Sequence, residues 1–502
     1  MEKDLEKRFN RLVKIILEYN DKADIDLLRK AFIFAKLAHT GEKRYSGIDI
    51  IWHPLETSII LASWKMDLAT IIAGLLHDTV EHGAATEKDI RENFGIEILS
   101  LVEGVTKISK IKLQGSSEDL FVENLRKMFL AIAEDLRVVL LRLAERIDNL
   151  KTLEFLPEER KMLYAKESLE IYAPLADRLG ISEAKTQIED LSFPFIYKSE
   201  YLNVVKISRP FYIDAEKRVE IIKKTLRKAL KKEGVNAKIT GRKKGIYSLW
   251  KKLERPGIGW NIEKTIYDII ALRILVNSIK DCYLAVGVVH KYYKPISDSP
   301  IADFITAPKP NGYRSIHLRV IGPDKGSAEI QIRTFEMHQE NEFGAAAHWA
   351  YSEAKTRGIK DEVLEKKSIS IKKEKLDWVR ELVEWQKDIK SSKEFLKAVK
   401  FDALARRIFV FSPKGDVFDL PQRATPIDFA YSVHTDLAEY IKGAKVDGKV
   451  VGLDYPLQNS QVVEIIKTKY PRGPSERWLD FVVTVLAKKE IKKQLRKYTV
   501  KG

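Results

Sequence analysis

Residues 303–317 read DFITAPKPNGYRSIH, and residues 329–334 read EIQIRT. The first run places a lysine, an amide, a glycine, an aromatic ring and a histidine in a loop with two prolines, where side chains are free to face a ligand. In the second run Glu329, Gln331 and Arg333 alternate with apolar residues, which is the period of a strand with one polar face. A carboxylate, an amide and a guanidinium on one face suit a metal ion, a sugar and a phosphate. Together the runs predict a nucleotide site, whereas either alone could be a solvated edge strand after a turn.

The composition fits a chain of three or so domains, because 502 residues exceed what one hydrophobic core usually supports. No apolar run reaches bilayer length, so no membrane association is expected. The single cysteine, Cys282, excludes an intrachain disulfide and a cysteine-based metal cluster, which favours a reducing cytoplasm. The net charge of +16 indicates polyanionic partners such as nucleotides, RNA or ribosomes. Alternatively, the lysines form the surface ion networks of a heat-adapted protein.

Residues 1–190 carry apolar residues at three-and-four spacing, which predicts an all-α domain. Four polar pieces interrupt this pattern, namely Arg44, His53-Pro54, the run HDTVEH at 77–82 and the run LAERIDN at 143–149. Adjacent His77 and Asp78 reach one ion only if other ligands converge from other helices. His53 and Glu145 are the candidates. Two imidazoles and two carboxylates suit manganese, iron or zinc, although a lone helical histidine is more often structural.

From about residue 200 the pattern changes to mixed α/β. A basic helix is predicted at 216–233, followed by GRKKG at 241–245. There glycines flank cations just before a helix, so phosphates could approach the helix start. The alternative is a solvated basic loop.

The run YDIIALRILV at 267–276 predicts a buried strand. Its Asp268 and Arg273 must be paired or functional, because burying a charge alone is costly. Asp268 and Glu329 together predict a nucleotidyltransferase-like Mg²⁺ site.

These motifs resemble those of one family. The runs PKPNGYRSIH, EIQIRT and MHQENEFGAAAHW are similar to the synthetase domain of the RelA/SpoT homologue family, which makes and breaks the alarmones ppGpp and pppGpp. The run YAPLADRLG at 172–180 resembles the family's linking helical bundle. The resemblance covers nearly the whole chain. It implies an all-α HD-type hydrolase domain with its linking bundle (1–195), a mixed α/β nucleotidyltransferase-like synthetase domain (196–355), a helical connector (356–404), a small β-grasp TGS domain (405–469) and the start of a helical domain (470–502).

For the first domain the resemblance implies Mn²⁺-dependent hydrolysis of (p)ppGpp to GDP or GTP and pyrophosphate. The implied Mn²⁺ ligands are His53, His77, Asp78 and Glu145. Glu81 is expected to help activate water. Arg44 and Asn149 are expected to bind the nucleotide, with Asn149 also part of the catalytic set.

For the second domain the resemblance implies transfer of pyrophosphate from ATP to the 3′-OH of GDP or GTP, giving (p)ppGpp and AMP. Asp268 and Glu329 would be catalytic and hold Mg²⁺, and Glu329 would also act as general base. The implied ATP-binding residues are Arg242, Lys244 and Arg273, with the two arginines sandwiching the adenine. The implied GDP- or GTP-binding residues are Lys309, Asn311, Tyr313 and His317, with Tyr313 stacking on guanine.

The chain departs from the family's usual residues at several positions. It has Glu145 where aspartate is usual, His82 where aspartate is usual, and Tyr45 where a lysine or similar residue is usual. Glutamate keeps the charge but extends the oxygens by one methylene, and a histidine is largely neutral near pH 7. The synthetase motifs differ at GRKKG (for GRPKH) and at Ala307 (for asparagine), without loss of a charged catalytic group.

Residues 407–421 predict a hairpin with the turn Pro-Lys-Gly-Asp. A helix near 426–431 and short strands as far as Ile466 complete a pattern that resembles a TGS domain. His434 matches the family position that meets the tRNA acceptor end, or else is structural, so ribosome and uncharged tRNA are expected partners. The tail from Gly473 resembles the start of the family's helical domain, and the given sequence contains no zinc-finger-like or ACT-like pattern after it. We therefore expect ribosome sensing to be reduced, absent or differently arranged.

Three alternatives to a bifunctional enzyme remain open. One is a synthetase whose HD domain has become a regulatory scaffold. Another is a ribosome- or tRNA-binding regulator, which explains the charge but not carboxylates in apolar strands. A hydrolase with an inactive synthetase fits less well, because the synthetase positions are better kept.

Overall fold

The computed structural model describes residues 2–81, 83–109, 117–255, 269–296, 301–308, 312–344, 391, 395–396, 399 and 407–499. The predictions for His82, Asp268, Lys309, Asn311 and nearly all of the connector fall outside these ranges. The chain divides into two compact units, which are Met1–Lys110 with Glu134–Lys375 and Ile111–Ala133 with Leu376–Gly502.

The amino-terminal region is helical, as its apolar spacing predicts. Its helices in the first unit are α1 (Glu2–Leu17), α2 (Ile25–Ala38), α3 (Trp52–Ser63), α4 (Leu68–Glu81), α5 (Glu87–Phe94), α6 (Ile96–Ser109) and α8 (Leu136–Lys151). Helix α7 (Ser117–Glu134), which lies between α6 and α8 in the chain, belongs to the second unit except for its last residue. Helix α3 packs against both α4 and α8. Large apolar side chains such as Phe9, Leu61 and Leu140 are fully buried there. This packing brings polar side chains of α3, α4 and α8 into one place.

A helical linking segment follows, as predicted. It consists of a 3₁₀ turn (Leu153–Phe155), α9 (Glu158–Glu167), a π-helical turn (Ser168–Tyr172), α10 (Ala173–Arg178) and α11 (Ser182–Ile196). Arg146 of α8 lies between the rings of Tyr164 and Tyr172, with its guanidinium carbon 3.9 Å from each centroid. Attraction to both ring faces stabilises this buried cation.

The mixed α/β region contains one sheet. Its elements are α12 (Lys198–Lys232), β1 (Ala237–Lys243), α13 (Ile246–Leu253), β2 (Ile270–Val276), α14 (Ile279–Tyr292), β3 (Ala302–Asp303), β4 (Ile316–Ile321), β5 (Ser327–Thr334) and α15 (Phe335–Phe343). Helix α12 begins well before the predicted basic helix at 216–233. Its buried stripe, which includes Val204 and Val219, continues past the internal Pro210 and keeps the whole helix on the core.

The sheet order is β1-β2-β5-β4-β3, with β2 and β5 parallel and the other neighbours antiparallel. One face carries apolar residues such as Leu272 and Ile330, which pack with α12 and α14. Strand β5 is central, and the side chains of its residues Ala328–Thr334 are all buried. The edge-strand alternative for residues 329–334 is therefore wrong, and the predicted alternation is confirmed.

The second unit contains the β-rich region. Its elements from residue 407 are β6 (Arg407–Phe411), β7 (Val417–Pro421), α16 (Pro426–Val433), a 3₁₀ turn (Thr435–Tyr440), β8 (Ile441–Val446), β9 (Lys449–Val451), β10 (Val463–Lys467), a 3₁₀ turn (Glu476–Asp480) and α17 (Val485–Thr499). Strands β6 and β7 pair antiparallel, and the sheet beside them has the order β10-β8-β9. The predicted hairpin is confirmed, with Gly415 at φ +90° in its turn.

Asp428 connects this region to the tail. One carboxylate oxygen accepts hydrogen bonds from the N–H and hydroxyl of Thr425, at 2.8 and 2.9 Å. The other accepts the N–H of Val483 at 3.1 Å and both the N–H and hydroxyl of Thr484 at 2.8 Å. Ile491 of α17 is buried in a cluster with Ile427 of α16. The tail is therefore part of the same core.

We expect Asp428→Ala to destabilise the second unit by about 3 kcal/mol or more, because it leaves several buried donors without an acceptor. Hydrogen exchange of the α16 and α17 amides measures the free energy of opening. Asp436→Ala is the matched control, since its side chain is 77% exposed and should change stability by less than about 0.5 kcal/mol. Equal protection in the two variants would contradict the role of Asp428.

Two glycines meet where the linking segment reaches the sheet region. Gly344 follows α15 with φ +48°, and Gly180 follows α10 with φ +75°. A Cβ on Gly344 would lie 2.6 Å from the carbonyl oxygen of Gly180 and would also overlap the carbonyl oxygen of Leu179. Only glycine permits this approach of two backbones.

Gly344→Ala should therefore loosen this junction by about 3 kcal/mol or more, through steric overlap and backbone strain. The measurement is the hydrogen-exchange protection of the α11 and α15 amides. Gly287→Ala serves as control, because a Cβ added to this α14 residue would meet nothing within 4 Å and alanine favours a helix by about 0.5–1 kcal/mol. Unchanged protection in Gly344→Ala would show that the junction tolerates a side chain.

No described helix combines the length and the apolar character that crossing a membrane requires.

Candidate functional site

Two helices place a compact polar cluster inside the amino-terminal region. His53 lies in the first turn of α3, and His77 and Asp78 lie near the end of α4. Each offers a ligand atom within 4.8 Å of the other two. Nε2 of His77 lies 3.1 Å from Oδ1 of Asp78, and Nε2 of His53 lies 3.7 Å from Oδ2. Three of the four predicted metal ligands are thus together.

The donor chemistry of this cluster fits a divalent metal. Nδ1 of His77 bonds to the carbonyl oxygen of Gly74 at 2.9 Å, so the ring carries its proton on Nδ1 and presents the lone pair of Nε2. Nε2 is buried and has no hydrogen-bond partner. A buried nitrogen lone pair beside an imidazole and a carboxylate is what a metal ligand offers.

A carboxylate on α8 connects this cluster to the predicted nucleotide-binding residues. Oδ2 of Asp148 lies 2.7 Å from Nδ1 of His53 and accepts a hydrogen bond from Nη1 of Arg44 at 3.1 Å. Nη2 of Arg44 donates to the side-chain oxygen of Asn149 at 2.5 Å. Arg44 and Asn149, predicted to bind the same ligand, are therefore in contact. Burial lowers the pKa of His53, but Asp148 and Asp78 outweigh it, so the net shift is upward.

Glu145, the predicted fourth ligand, already accepts hydrogen bonds at both of its carboxylate oxygens. Its Oε2 accepts a hydrogen bond from Nη1 of Arg142 at 2.6 Å, and its Oε1 accepts one from Asn149 at 3.3 Å. Burial raises the pKa of Glu145, but the opposing effect of nearby positive charge, chiefly that of Arg142, outweighs it, so the pKa is lowered. Glu145 is not in the three-residue group, and its role as a fourth ligand stays a prediction. Glu81 lies one helical turn after His77.

The polar face of the sheet brings together most of the described residues predicted for the second site. Its strand register sets Arg273 of β2 beside Gln331 of β5, and Gln331 beside His317 of β4. Two residues away along the same strands, Arg242 of β1 and Glu329 of β5 lie on either side of Ala271 of β2. Residues directly opposite one another share a face, so these five side chains line one surface.

Hydrogen bonds join the predicted base to the predicted acceptor-binding residues. Oε1 of Glu329 accepts a bond from Nε2 of Gln331 at 2.9 Å and lies 3.1 Å from Nδ1 of His317. Nε2 of His317 lies 2.8 Å from the hydroxyl of Tyr313. The imidazole thus connects the carboxylate to the tyrosine. Phe304 packs edge-on against the same imidazole, with centroids 5.3 Å apart.

Two buried arginines share one carboxylate on this face. Oε1 of Glu342 lies 2.8 Å from Nη2 of Arg273 and 3.0 Å from Nη2 of Arg333. The contact with Arg273 lacks hydrogen-bond alignment. Burial lowers the pKa of Arg273 to about 10, and the charges of Arg333 and Arg242 act in the same direction. The cluster therefore has surplus positive charge.

Sequence patterns had not assigned Glu342 or His338 to the site. His338 is near Arg333, and burial together with that charge lowers the pKa of His338 to about 4. The neutral ring accepts a hydrogen bond from Nη2 of Arg333 at 2.8 Å. Nε and Nη1 of Arg333 are buried without a hydrogen-bond partner. Both residues lie in the run MHQENEFGAAAHW, which resembles a synthetase motif of the family, but the resemblance gave neither of them a role.

The predicted phosphate approach at the start of α13 stays a prediction, and the first turn of this helix already has a partner in the structure. Gly245 precedes this helix, but the N–H of Tyr247 donates to the carboxylate of Asp190 on α11 at 3.0 Å. A carboxylate from the linking segment therefore caps the helix start, so the phosphate contact predicted here depends on the side chain of Lys244 rather than on the helix N–H groups. Lys244 lies just before the helix and is partly exposed.

Two other predicted residues lie elsewhere. Cys282 is fully buried in α14, and burial raises the pKa of its thiol to about 12, which fits a side chain that fills the core rather than a nucleophile. His434 follows α16, and its side chain is 68% exposed.

Comparison with known proteins decides the family. The description "HD domain" matches residues 31–182, "Region found in RelA / SpoT proteins" matches 241–356, and "TGS domain" matches 408–467. The chain is 42% identical over 504 aligned positions to a guanosine-3′,5′-bis(diphosphate) 3′-pyrophosphohydrolase from Aquifex aeolicus, covering 99% of the chain and 67% of that relative. The chain belongs to the RelA/SpoT family.

Other RelA/SpoT relatives carry names for both directions of the chemistry. A GTP pyrophosphokinase from Myxococcus xanthus is 43% identical, covering 95% of this chain and 61% of that relative. A bifunctional (p)ppGpp synthase/hydrolase from Escherichia coli is 38% identical, covering 97% of this chain and 67% of that relative. The chain thus spans about three fifths to two thirds of the length of these relatives. Its HD domain implies a divalent metal, for which His53, His77 and Asp78 form the candidate cluster.

Because Glu342 is shared by two arginines, substitutions of Glu342 and of Arg333 should differ in their effect on stability. Glu342→Gln should destabilise the first unit by about 3–5 kcal/mol, because it leaves two buried guanidinium groups without their counter-charge. Arg333→Met should cost much less, since Arg273 and Glu342 then form a one-to-one pair. Urea unfolding of both variants checks the order. A larger loss in Arg333→Met than in Glu342→Gln would contradict the surplus of positive charge.

Proposed function

We propose that this RelA/SpoT family member is a bifunctional alarmone enzyme, which makes (p)ppGpp and AMP from ATP and GDP or GTP and hydrolyses (p)ppGpp to GDP or GTP and pyrophosphate. The observation that carries the proposal is that one chain contains two separate polar clusters. One is a buried histidine and aspartate group among helices, and the other is a polar sheet face.

In the proposed hydrolase site His53, His77 and Asp78 hold Mn²⁺, with Glu145 as a fourth ligand. When bound, the metal activates water and offsets the charge of the leaving pyrophosphate. Arg44 and Asn149, held together by their hydrogen bond, bind the nucleotide phosphates.

Glu81 is the proposed helper in this hydrolysis. It lies on α4 one turn after His77, which supports a role for its carboxylate in accepting a proton from the attacking water.

In the proposed synthetase site Glu329 accepts the proton of the 3′-OH as this oxygen attacks the β-phosphate of ATP. The bond between the β-phosphate and the α-phosphate oxygen breaks, and AMP leaves. His317 and Gln331 hold one oxygen of Glu329 in place, which leaves the carboxylate oriented before the substrate arrives. Mg²⁺ would be held by Glu329 with Asp268, and it would offset phosphate charge.

The two nucleotides are proposed to bind on either side of Glu329. Arg242 and Arg273 sandwich the adenine of ATP, and Lys244 contacts its phosphates. Surplus positive charge around Glu342 supports an anionic ligand here. Tyr313 stacks on the guanine of GDP or GTP, with His317, Lys309 and Asn311 as its polar contacts.

A second candidate is a synthetase with an inactive HD domain. Engagement of both Glu145 oxygens, by Arg142 and Asn149, favours this reading, because a ligand must leave those partners to reach a metal. The third candidate is a ribosome- or tRNA-binding regulator. The exposed His434 supports it, and we propose this residue as a tRNA contact of the TGS domain. Because the proposed substrates are nucleotides, we place the enzyme in the cytoplasm.

Separate substitutions should stop separate reactions. We expect Glu329→Gln to lower synthesis at least about 100-fold, since it removes the general base, while hydrolysis continues. His77→Ala should abolish hydrolysis while synthesis continues. The measurement follows labelled ppGpp with Mn²⁺, and ATP with GDP or GTP and Mg²⁺, by chromatography.

Wild-type synthesis without hydrolysis at any metal would support the second candidate. Absence of both reactions, also at high temperature and with ribosomes and uncharged tRNA, would favour the regulator. Loss of both reactions in His77→Ala would contradict two independent sites.

A further inference from the structure

Asp148 is a buried carboxylate outside the proposed metal and nucleotide-binding sets. It lies on α8 with 4% of its surface exposed. Its Oδ2 atom alone contacts both Nδ1 of His53, at 2.7 Å, and Nη1 of Arg44, at 3.1 Å. One atom therefore links a candidate metal ligand to a candidate phosphate-binding arginine.

The contact with His53 decides which ring nitrogen can face a metal. A carboxylate only accepts hydrogen bonds, so the Nδ1 of His53 must carry a proton to bond to Asp148. The remaining nitrogen, Nε2, faces Asp78 at 3.7 Å, and the centroids of the His53 and His77 rings are 5.3 Å apart. Outer carboxylates that fix a ligating imidazole in this way also raise its basicity.

The contact with Arg44 fixes a side chain from a loop. Arg44 lies between α2 and α3, where Gly47 with φ +78° turns the chain. Asp148 and Asn149, consecutive on α8, each bind one nitrogen of its guanidinium. This two-point attachment restricts the arginine before a ligand arrives, which reduces the entropy lost on binding.

We propose that Asp148 is a positioning residue that aligns His53 for the divalent metal and Arg44 for the nucleotide through the same oxygen atom. The proposal rests on the proposed hydrolase function. It makes metal affinity and nucleotide affinity depend on one carboxylate that touches neither ligand.

The test is Asp148→Asn in the full chain. An amide nitrogen in this position can donate to Nδ1 of His53, which favours the tautomer with its proton on Nε2, where no metal can bind. Mn²⁺ affinity, measured by calorimetry without nucleotide, should fall about 10–100-fold. At saturating Mn²⁺, kcat for ppGpp hydrolysis should recover while KM stays raised, because Arg44 has still lost its anionic partner.

Two further variants keep the test decisive. Asp148→Glu retains the charge and should bind Mn²⁺ more tightly than Asp148→Asn and less tightly than the wild type. Asp67→Asn is the matched control, since Asp67 is also buried, accepts two hydrogen bonds from Thr70 and pairs with Arg137 at 3.4 Å. It should lower stability and leave Mn²⁺ affinity unchanged. Synthesis from ATP and GDP confirms that each variant is folded.

The outcomes separate the two claims. Equal Mn²⁺ affinity in the wild type and both Asp148 variants, or an equal loss in Asp67→Asn, overturns the positioning role alone. Recovery of both kcat and KM at high Mn²⁺ overturns the link to Arg44. Failure of the wild type to bind any divalent metal overturns the proposed hydrolase site and the inference with it.

Discussion

A charge inside a folded chain needs a counter-charge or a hydrogen bond, and both candidate sites depend on this constraint. Each is arranged around a single carboxylate oxygen that contacts two nitrogen-bearing side chains. Oδ2 of Asp148 contacts His53 and Arg44, and Oε1 of Glu342 contacts Arg273 and Arg333. An oxygen atom shared in this way holds both side chains in place. It also leaves the cationic or ligating groups with less than one counter-charge each. Such groups can then bind an anion or a metal without first breaking a strong internal pair.

The fold supplies rigid supports for these shared atoms. In the helical region, contacts of α3 with α4 and α8 bring together residues that are far apart in sequence. In the sheet, the register of β5 with β2 and β4 fixes Gln331 between Arg273 and His317. The linking segment packs against the sheet region, and its contacts include the close approach of the Gly180 and Gly344 backbones and the hydrogen bond of Asp190 at the start of α13. The packing of helices and strands therefore determines where the side chains of each candidate site lie.

The local sequence pattern was enough to predict the secondary-structure class of each region and the polar face of β5, because the spacing of apolar residues follows directly from which side of an element is buried. It also indicated His53, His77 and Asp78, since these residue types rarely occur in apolar helices without a reason. It could not assign Asp148 or Glu342, whose roles come from partners about 100 and 70 positions away in the chain. The capped start of α13 was missed for the same reason, because its carboxylate comes from a separate helix.

The claim that the helical cluster is a metal centre is tested most directly by pulsed electron paramagnetic resonance of the protein with one equivalent of Mn²⁺. The account predicts electron-spin-echo modulation from two imidazole nitrogens, with one lost in His53→Ala and one lost in His77→Ala. It also predicts the same spectrum in Glu329→Gln. Modulation without any imidazole nitrogen, or a spectrum insensitive to both histidine substitutions, would contradict it.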